Sequence, residues 1–287
     1  MNTVSFHCNA CGRCCDSPPT MTVPELFHHE GRFVGCLAIR RVPRHRPHEE
    51  LACGERAHRV SAEDVTEADA LADRLLFTAG AHYSIGTQAI DYASIGGCPA
   101  RLADGRCDIH DDRKPATCGT VPLDPQLPDR LQHVVLMSRR LGEGYGRADC
   151  IAAGKREGYA VLVEGGEVVD AGYRAGMVQQ RDALAAEKAA WGEAVFALLK
   201  RELFDDPAQA RRIPASGYLS LPLVPVLMVL AERSSESRDR CLRYARSQMA
   251  LIAAKVTQAV GRKRAEDKPL TQELRRFSQA YEHFEKA

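Results

Sequence analysis

The stretch Phe6-His7-Cys8-Asn9-Ala10-Cys11-Gly12-Arg13-Cys14-Cys15 places four thiols within eight residues, with C-x-x-C-x-x-C-C spacing. Thiolates are soft ligands that hold zinc or iron–sulfur clusters, and a C-x-x-C turn directs two sulfurs toward one ion. Cys8, Cys11 and Cys14 repeat that turn twice, as ferredoxin-type sequences do. The stretch therefore predicts a thiolate metal site near the start of the chain.

Cys15 departs from this repeat. Because neighbouring side chains diverge, Cys14 and Cys15 are not expected to bind the same metal atom, which leaves a cluster of several metal atoms or two adjacent sites. Gly12 suits a turn in which the backbone passes close to a metal or takes a positive φ.

Composition excludes several broad classes. The chain has 287 residues, 45% of them hydrophobic, and a formal net charge of +1, so no overall field favours nucleic acid or an anionic membrane. Residues 1–6 lack the basic and apolar regions of a secretion signal, and the longest apolar run, 219–231, is shorter than the roughly 20 residues of a membrane span. A cytoplasmic protein is expected, in which cysteines bind metal more often than they form disulfides.

The distribution of cysteine predicts two domains. Ten of the eleven cysteines fall within residues 1–150, and only Cys241 follows. We expect an α+β protein with an irregular, metal-stapled, cysteine-rich domain with short strands over residues 1–155. A β-hairpin and a mainly helical domain follow over residues 156–287.

Local patterns predict individual elements in the first half of the chain. Thr22 with Pro24 indicates a helix start, and Ser61 with Asp64 indicates a capped helix that reaches about Ala79. Residues 40–50 read as a basic loop, residues 80–123 as turn-rich, and residues 131–137 as a buried strand.

The second half reads as a hairpin followed by helices. Residues 159–163 and 167–171, joined through Gly165 and Gly166, predict the hairpin. Apolar spacing then predicts helices from Arg181 onward, including 222–231, 237–260 and one around 274–284. Their simplest role is packing or the binding of a partner protein.

A second group of thiols lies in the turn-rich region. Cys98, Cys107 and Cys118 are followed by Cys150, which gives four thiols to match the first four. Zinc sites usually pair two C-x-x-C knuckles, whereas the second group is widely spaced, so the pattern favours an iron–sulfur cluster over structural zinc. Cys36, Cys53 and Cys241 are expected to be plain buried thiols. The predicted ligands are Cys8, Cys11, Cys14, Cys15, Cys98, Cys107, Cys118 and Cys150.

Residues 5–155 resemble the family of C-x-x-C-x-x-C-C domains described as zinc- or iron-chelating, whose members include the bacterial flagellin lysine methylase. The resemblance lies in the N-terminal motif, Cys98-Pro99, Gly105-x-Cys107-x-Ile109, Pro115-x-x-Cys118 and Cys150 with Gly154. It implies a cluster, such as a four-iron cluster, and an enzyme that transfers a methyl group from S-adenosylmethionine to a protein lysine. A non-catalytic metal, redox or interaction module is the alternative.

Several polar residues near the second group are candidates for such chemistry. Asp108, His110 and Asp111 could accept the proton of a lysine amine, and Arg113 could place a positive charge beside a thiolate-rich site. Capping and turn formation are the alternative for these residues.

The segment Gly142-Glu143-Gly144-Tyr145-Gly146 has the G-x-G-x-G form of S-adenosylmethionine-binding loops. Its three glycines, Gly142, Gly144 and Gly146, are the candidate cofactor contacts. Such a loop should join a strand to a helix, whereas Cys150 and a hairpin follow here, so a turn that delivers Cys150 to the metal is the simpler interpretation.

Overall fold

The structure is a computed structural model that describes residues 3–9, 12, 17–54, 56–142 and 149–287. Among these residues, no helix is both long enough and apolar enough to cross a membrane. Helices and antiparallel sheets are mixed along the chain, so the α+β prediction is confirmed.

The strands form antiparallel sheets. One sheet has the order β7-β1-β8-β9, a second has the order β10-β2-β6-β5, and β3 pairs with β4. In chain order the strands are β1 (Val4–Phe6), β2 (Val34–Val42), β3 (Glu50–Cys53), β4 (Arg56–Arg59), β5 (Phe77–Thr78), β6 (His82–Ile90), β7 (Ile151–Ala153), β8 (Ala160–Glu164), β9 (Glu167–Val168) and β10 (Leu219–Pro222).

The three longest helices of the described chain follow residue 170, although short helices occur on both sides of it. In chain order they are α1 (Val23–His28), α2 (Ala62–Leu75), α3 (Ala116–Thr120), α4 (Gln132–Leu141), α5 (Ala171–Glu187), α6 (Glu193–Leu199), α7 (Pro207–Ala210), α8 (Val224–Ala231), α9 (Ser235–Arg262) and α10 (Lys268–Lys286). Wider π-helical turns, Lys188–Gly192 and Lys200–Phe204, flank α6.

The chain divides into two units, each assembled from several segments. Unit 1 comprises Met1–Cys14, Pro43–Leu76 and Leu102–Ala185, and unit 2 comprises Cys15–Val42, Phe77–Arg101 and Ala186–Ala287. The division predicted at residue 155 is sequential, whereas these units interleave along the chain. That boundary stays a prediction.

Unit 1 has a small core under the β7-β1-β8-β9 sheet. Apolar side chains from α4 and α5 pack against buried residues of β1, β7, β8 and β9. The buried members are Val4, Leu123, Leu136, Ile151, Leu162, Val163, Val168 and Met177.

Helix α2 in unit 1 begins with the predicted cap. The Ser61 side chain accepts from the Asp64 backbone, and the Asp64 side chain accepts from the Ser61 backbone at 2.9 Å. Burial alone raises the pKa of Asp64, but hydrogen bonds from Ser61, Arg130 and His58 outweigh it and lower the pKa to about 2. The cap prediction is confirmed, although the helix ends at Leu75 rather than near Ala79.

Unit 2 is built on the nine-residue pairing of β2 with β6. Gln248 on α9 ties this sheet to the helices, since its Oε1 accepts from Gly35 N at 2.9 Å while its Nε2 donates to the carbonyls of Glu30 and Phe33. Large fully buried side chains complete the core, among them Leu26, Phe33, Leu37, Ile39, Trp191, Tyr244 and Tyr281.

Several sequence predictions agree with these elements. The start of α1 at Thr22, the hairpin β8–β9 and the helices α8, α9 and α10 are confirmed. The helix expected from Arg181 begins earlier, at Ala171.

Other predictions are wrong. Residues 131–137, predicted as a strand, lie mostly in α4, where Gln132, His133 and Leu136 share one buried face at helical spacing. The loop predicted from Arg40 and the turn-rich region predicted from Gly80 miss the end of β2 and the whole of β6.

Candidate metal centre

The described cysteines separate into two classes by exposure. Cys36 and Cys241 are buried in unit 2, and burial raises the pKa of each thiol. Cys8 is exposed, whereas Cys98, Cys107, Cys118 and Cys150 are partly buried. The second class is therefore the one whose thiols a metal ion could reach.

Cys53 has the partial burial of the second class. It is partly buried on β3 rather than fully buried as predicted, and burial raises its pKa. It is not among the predicted ligands, which makes it a useful comparison for them.

The pairing of β1 with β7 brings Cys8 and Cys150 close together. Phe6 pairs with Ile151, and the backbone N–H of His7 donates to the Cys150 carbonyl at 2.9 Å. Cys8 therefore follows the end of β1 at the point where Cys150 precedes β7. Two predicted ligands that are far apart in sequence are neighbours at one end of the sheet.

Tyr159 braces this end of the sheet. Its hydroxyl donates to the Asp149 carbonyl at 2.8 Å, and its ring centroid lies 5.5 Å from that of His7. The Arg156 guanidinium lies 4.5 Å from the centre of the same ring. The sequence analysis predicted Tyr159 only as part of a hairpin. The feature that could have identified it is its position as an aromatic residue soon after Cys150, the last predicted ligand.

Cys150 also has an apolar support. It packs against the unit 1 core together with Phe6, whose ring lies edge-on to that of Tyr173 on α5 at 5.9 Å. The Cys150 side chain is thus partly buried against packed side chains, whereas Cys8 is exposed.

Cys98 in unit 2 accepts a hydrogen bond at sulfur. The Ala100 N–H lies 3.4 Å from Cys98 Sγ, and the Arg101 N–H donates to the Cys98 carbonyl at 2.9 Å. Hydrogen bonding to the charged form of a group favours that form, so this turn is suited to a thiolate.

Cys107 and Cys118 lie on either side of an exposed acidic loop in unit 1. The turn before Cys107 is closed by Leu102 N–H donating to the Arg106 carbonyl at 2.8 Å, with Gly105 at φ +85°. Cys118 lies in α3, where the neighbouring Thr120 donates to Gln180 on α5 at 2.5 Å.

The four predicted catalytic residues lie in that loop and are exposed. Asp108, His110, Asp111 and Arg113 all have accessible side chains, and Arg113 has the left-handed φ of +44°. The loop presents them to solvent, where a macromolecule could reach them. Their assignment as proton acceptors and as the site's positive charge stays a prediction.

Five predicted site residues, Cys11, Cys14, Cys15, Gly144 and Gly146, lie outside the described residues. Gly12 is described, and its φ of +68° confirms the predicted positive φ. Gly142 caps the end of α4 in an extended conformation, so the glycine-rich segment follows a helix and leads through Cys150 into β7. The cofactor prediction for this segment stays untested.

Within the ranges that the structure describes, no group of three or more His, Cys, Asp or Glu side chains is arranged around a common metal position. The described thiols nevertheless suit a soft metal in donor chemistry and exposure, and the backbone of His7, next to Cys8, is hydrogen-bonded to Cys150. No protein-family model, curated protein or solved structure matches this chain.

Proposed function

We propose that this chain binds a thiolate-ligated metal centre, an iron–sulfur cluster in preference to zinc. The observation that supports the proposal is the β1–β7 pairing, in which the backbone of His7, the neighbour of Cys8, is hydrogen-bonded to Cys150. The ligand set would be Cys8, Cys11, Cys14, Cys15, Cys98, Cys107, Cys118 and Cys150, in one cluster or in two sites.

Three features of the described residues would serve such a centre. The Ala100 N–H would stabilise negative charge on Cys98 Sγ, and Tyr159 would hold the Asp149–Cys150 turn in place. The apolar packing behind Cys150 would exclude water from that side of the sulfur. A cluster bound there would supply electron transfer or a strongly polarising centre.

Two cysteine variants test this proposal as a matched pair. Cys150→Ser should lower the iron and sulfide bound per chain by at least half, because it removes a ligand beside Cys8. Cys53→Ser, a change of the same chemistry in the same unit, should leave both unchanged. Equal metal contents in the two variants would contradict the proposed ligand set.

We further propose that this chain, once it has bound its cluster, modifies a side chain of another protein. The reaction that the family resemblance implies is methylation of a lysine by S-adenosylmethionine. The exposed carboxylates of Asp108 and Asp111 support it, since they could contact a cationic lysine on another protein. Arg113 and His110 would lie beside that substrate. A redox or interaction module with no transfer activity is the alternative.

The two functions differ in one measurement. Cluster-loaded protein incubated with methyl-labelled S-adenosylmethionine and a cell lysate should label a protein band, and Asp108→Asn with Asp111→Asn should weaken that label. Absence of label with a loaded cluster would exclude the methyl-transfer function and favour the module.

A further inference from the structure

The segment that leads to Cys98 is bound to one end of the helical pair α9–α10, within unit 2. It runs from Asp91, directly after β6, through a single 3₁₀ turn, Ala93–Ile95, to Cys98. The groups that hold it come from α9, from α10 and from the turn between them, 263–267, and all of these residues belong to the same unit. Helices for which the sequence indicated only packing or partner binding thus contact the approach to a predicted metal ligand.

A buried ion pair fixes the start of this segment. Lys255 Nζ on α9 lies 2.6 Å from Asp91 Oδ2, and the two side chains are 12% and 3% exposed. The other carboxylate oxygen, Oδ1, accepts the N–H of Tyr92 at 2.8 Å, so both oxygens of Asp91 are bound. A buried ion pair adds little net stability, because the loss of hydration offsets its attraction, whereas removal of one partner is costly. Its clearest consequence is therefore that Asp91 is held in one place.

Tyr92, the next residue, is fixed by its ring and by its hydroxyl. Tyr92 is 2% exposed, and the Arg262 guanidinium lies 5.0 Å from its ring centre. Tyr92 Oη lies 3.0 Å from Thr271 Oγ1, which itself lies 2.7 Å from the Asp267 carbonyl oxygen. Since a carbonyl oxygen can only accept, Thr271 gives its hydrogen to Asp267, and the Tyr92 hydroxyl donates to Thr271. The hydroxyl of Tyr92 thus has one defined acceptor on α10.

The contacts continue almost to Cys98. Arg264 in the turn donates from Nη1 to the Ser94 carbonyl at 3.3 Å. Cys98 follows Ser94 closely in the chain, and at about 3.5 Å per residue it lies within about 14 Å of that contact. Gly96 and Gly97 turn the chain between them, with φ values of +72° and +138° that residues other than glycine rarely adopt. The direction in which the chain reaches Cys98 therefore depends on where Ser94 is held.

We propose that Asp91 and Tyr92 are positioning residues for the metal site, through which α9 and α10 hold the thiol of Cys98 at its place in the ligand set. This inference rests on the proposed function, since it takes Cys98 as a ligand. The Cys98 turn suits a thiolate, because Sγ accepts the Ala100 N–H at 3.4 Å. The contacts on Asp91 and Tyr92 act one step further out and orient that turn, as the outer partners of metal ligands do.

Alkylation of individual cysteines in the full chain, with metal removed, tests this positioning without any cluster. Asp91→Asn and Tyr92→Phe should each let Cys98 react roughly threefold faster than in the wild type, because local opening governs access to a partly buried group. Mass spectrometry measures the rate at each thiol. Cys36 and Cys241, which are buried in the same unit, should stay protected in both variants.

Two results of this experiment would overturn the proposal. One is an unchanged rate at Cys98 in both variants, which would mean that the contacts on Asp91 and Tyr92 do not hold the turn. The other is an equal rise at Cys36 and Cys241, which would mean that unit 2 loosens as a whole. Tyr92→Phe keeps the buried ring and the Lys255–Asp91 pair, so it tests the proposal even if Asp91→Asn does not fold.

The cluster supplies a second readout. After loading with iron and sulfide, Asp91→Asn should hold roughly half the wild-type iron, and the electron paramagnetic resonance spectrum of its reduced cluster should differ, because a ligand has moved. Glu285→Gln is the matched control, since it removes the ion pair with Arg246 elsewhere on the same two helices. It should leave the iron, the spectrum and the Cys98 rate unchanged.

Failure of this inference and failure of the proposed function give different results. Wild-type iron content and spectrum in Asp91→Asn would overturn the inference and leave the metal centre in place. A wild type that binds no iron would overturn the proposed function, and with it the role of Cys98 as a ligand. The alkylation rates would then still decide whether Asp91 and Tyr92 hold the turn.

Discussion

Unit 1 and unit 2 differ in the interactions that stabilise each of them internally. Unit 2 has a nine-residue strand pair and long helices, as expected of a self-sufficient apolar core. Two of its three described cysteines, Cys36 and Cys241, are fully buried, whereas Cys98 is partly buried. Unit 1 has strands of two to five residues and a long turn-rich segment, and its described cysteines remain exposed or partly buried. The thiols of unit 1 are therefore available as ligands in the region that most needs an added constraint.

Removal of the metal should give the largest difference in stability between unit 1 and unit 2. Binding energy at thiolate sites contributes directly to folding, by several kcal/mol or more. Anaerobic chelation should abolish amide protection across residues 102–123, while the β2–β6 pairs keep theirs. Hydrogen exchange followed by mass spectrometry measures amide protection in both regions in one experiment. An equal loss of protection in the two units would contradict the claim that unit 1 depends on metal more than unit 2 does.

Unit 2 should instead depend on its buried polar contacts. Gln248→Met keeps the approximate shape but leaves Gly35 N–H and two carbonyls without their partner, at a cost of about 3 kcal/mol. Urea unfolding measures the change. Gln258→Met, at an exposed position of the same helix α9, is the control and should change stability little. A cost below about 1 kcal/mol for Gln248→Met would show that water replaces these contacts.

Unit 2 should also lose stability as the pH rises from about 4.5 to 7. Burial raises the pKa of Glu187 to about 7, with the Glu25 carboxylate adding to the effect, although Glu187 accepts from Val23 N–H at 3.0 Å. The folded state then binds more protons than the unfolded state between the two pKa values, so stability is greatest below that interval.

Glu187→Gln tests this pH dependence. The variant keeps an oxygen acceptor for Val23 and should be about 2 kcal/mol more stable than the wild type above pH 7, with a flatter pH profile. Thermal unfolding between pH 4.5 and 8 measures it. A variant that is less stable at pH 8 would mean that the ionised carboxylate stabilises the fold.

The smallest expected effects come from helix caps. Ser61→Ala removes the capping box of α2 in unit 1 and should cost about 1 kcal/mol. Ser234→Ala removes a single bond, to Ser237 N–H, at the exposed start of α9 in unit 2 and should cost about half as much. Urea unfolding of both variants gives the ratio of the two costs, and a larger cost at Ser234 would contradict this ranking of the two caps.

The sequence correctly predicted those features that depend on residues close together in the chain. The caps at Thr22 and Ser61 and the Gly165-Gly166 turn are formed by residues close in sequence, and the structure has them. In contrast, β2 and β6 depend on a partner strand that is distant in sequence. The apolar run at 131–137 was too short for its periodicity to distinguish helix from strand.

The same distinction applies to the candidate sites. The cysteine spacing predicted a set of thiol ligands, and the β1–β7 pairing brings the backbone next to Cys8 up to that of Cys150. Nothing in the sequence joined Asp91, before Cys98, to Lys255, because the two are 164 residues apart. Their contact depends on tertiary packing alone.

The central claim is that the exposed and partly buried thiols bind a cluster, and metal analysis of anaerobically purified wild type tests it most directly. Iron and acid-labile sulfide should be present in near-equal amounts in a brown protein with visible thiolate-to-iron absorption. Colourless protein with neither iron nor sulfide would contradict the claim, whether or not zinc is found in their place.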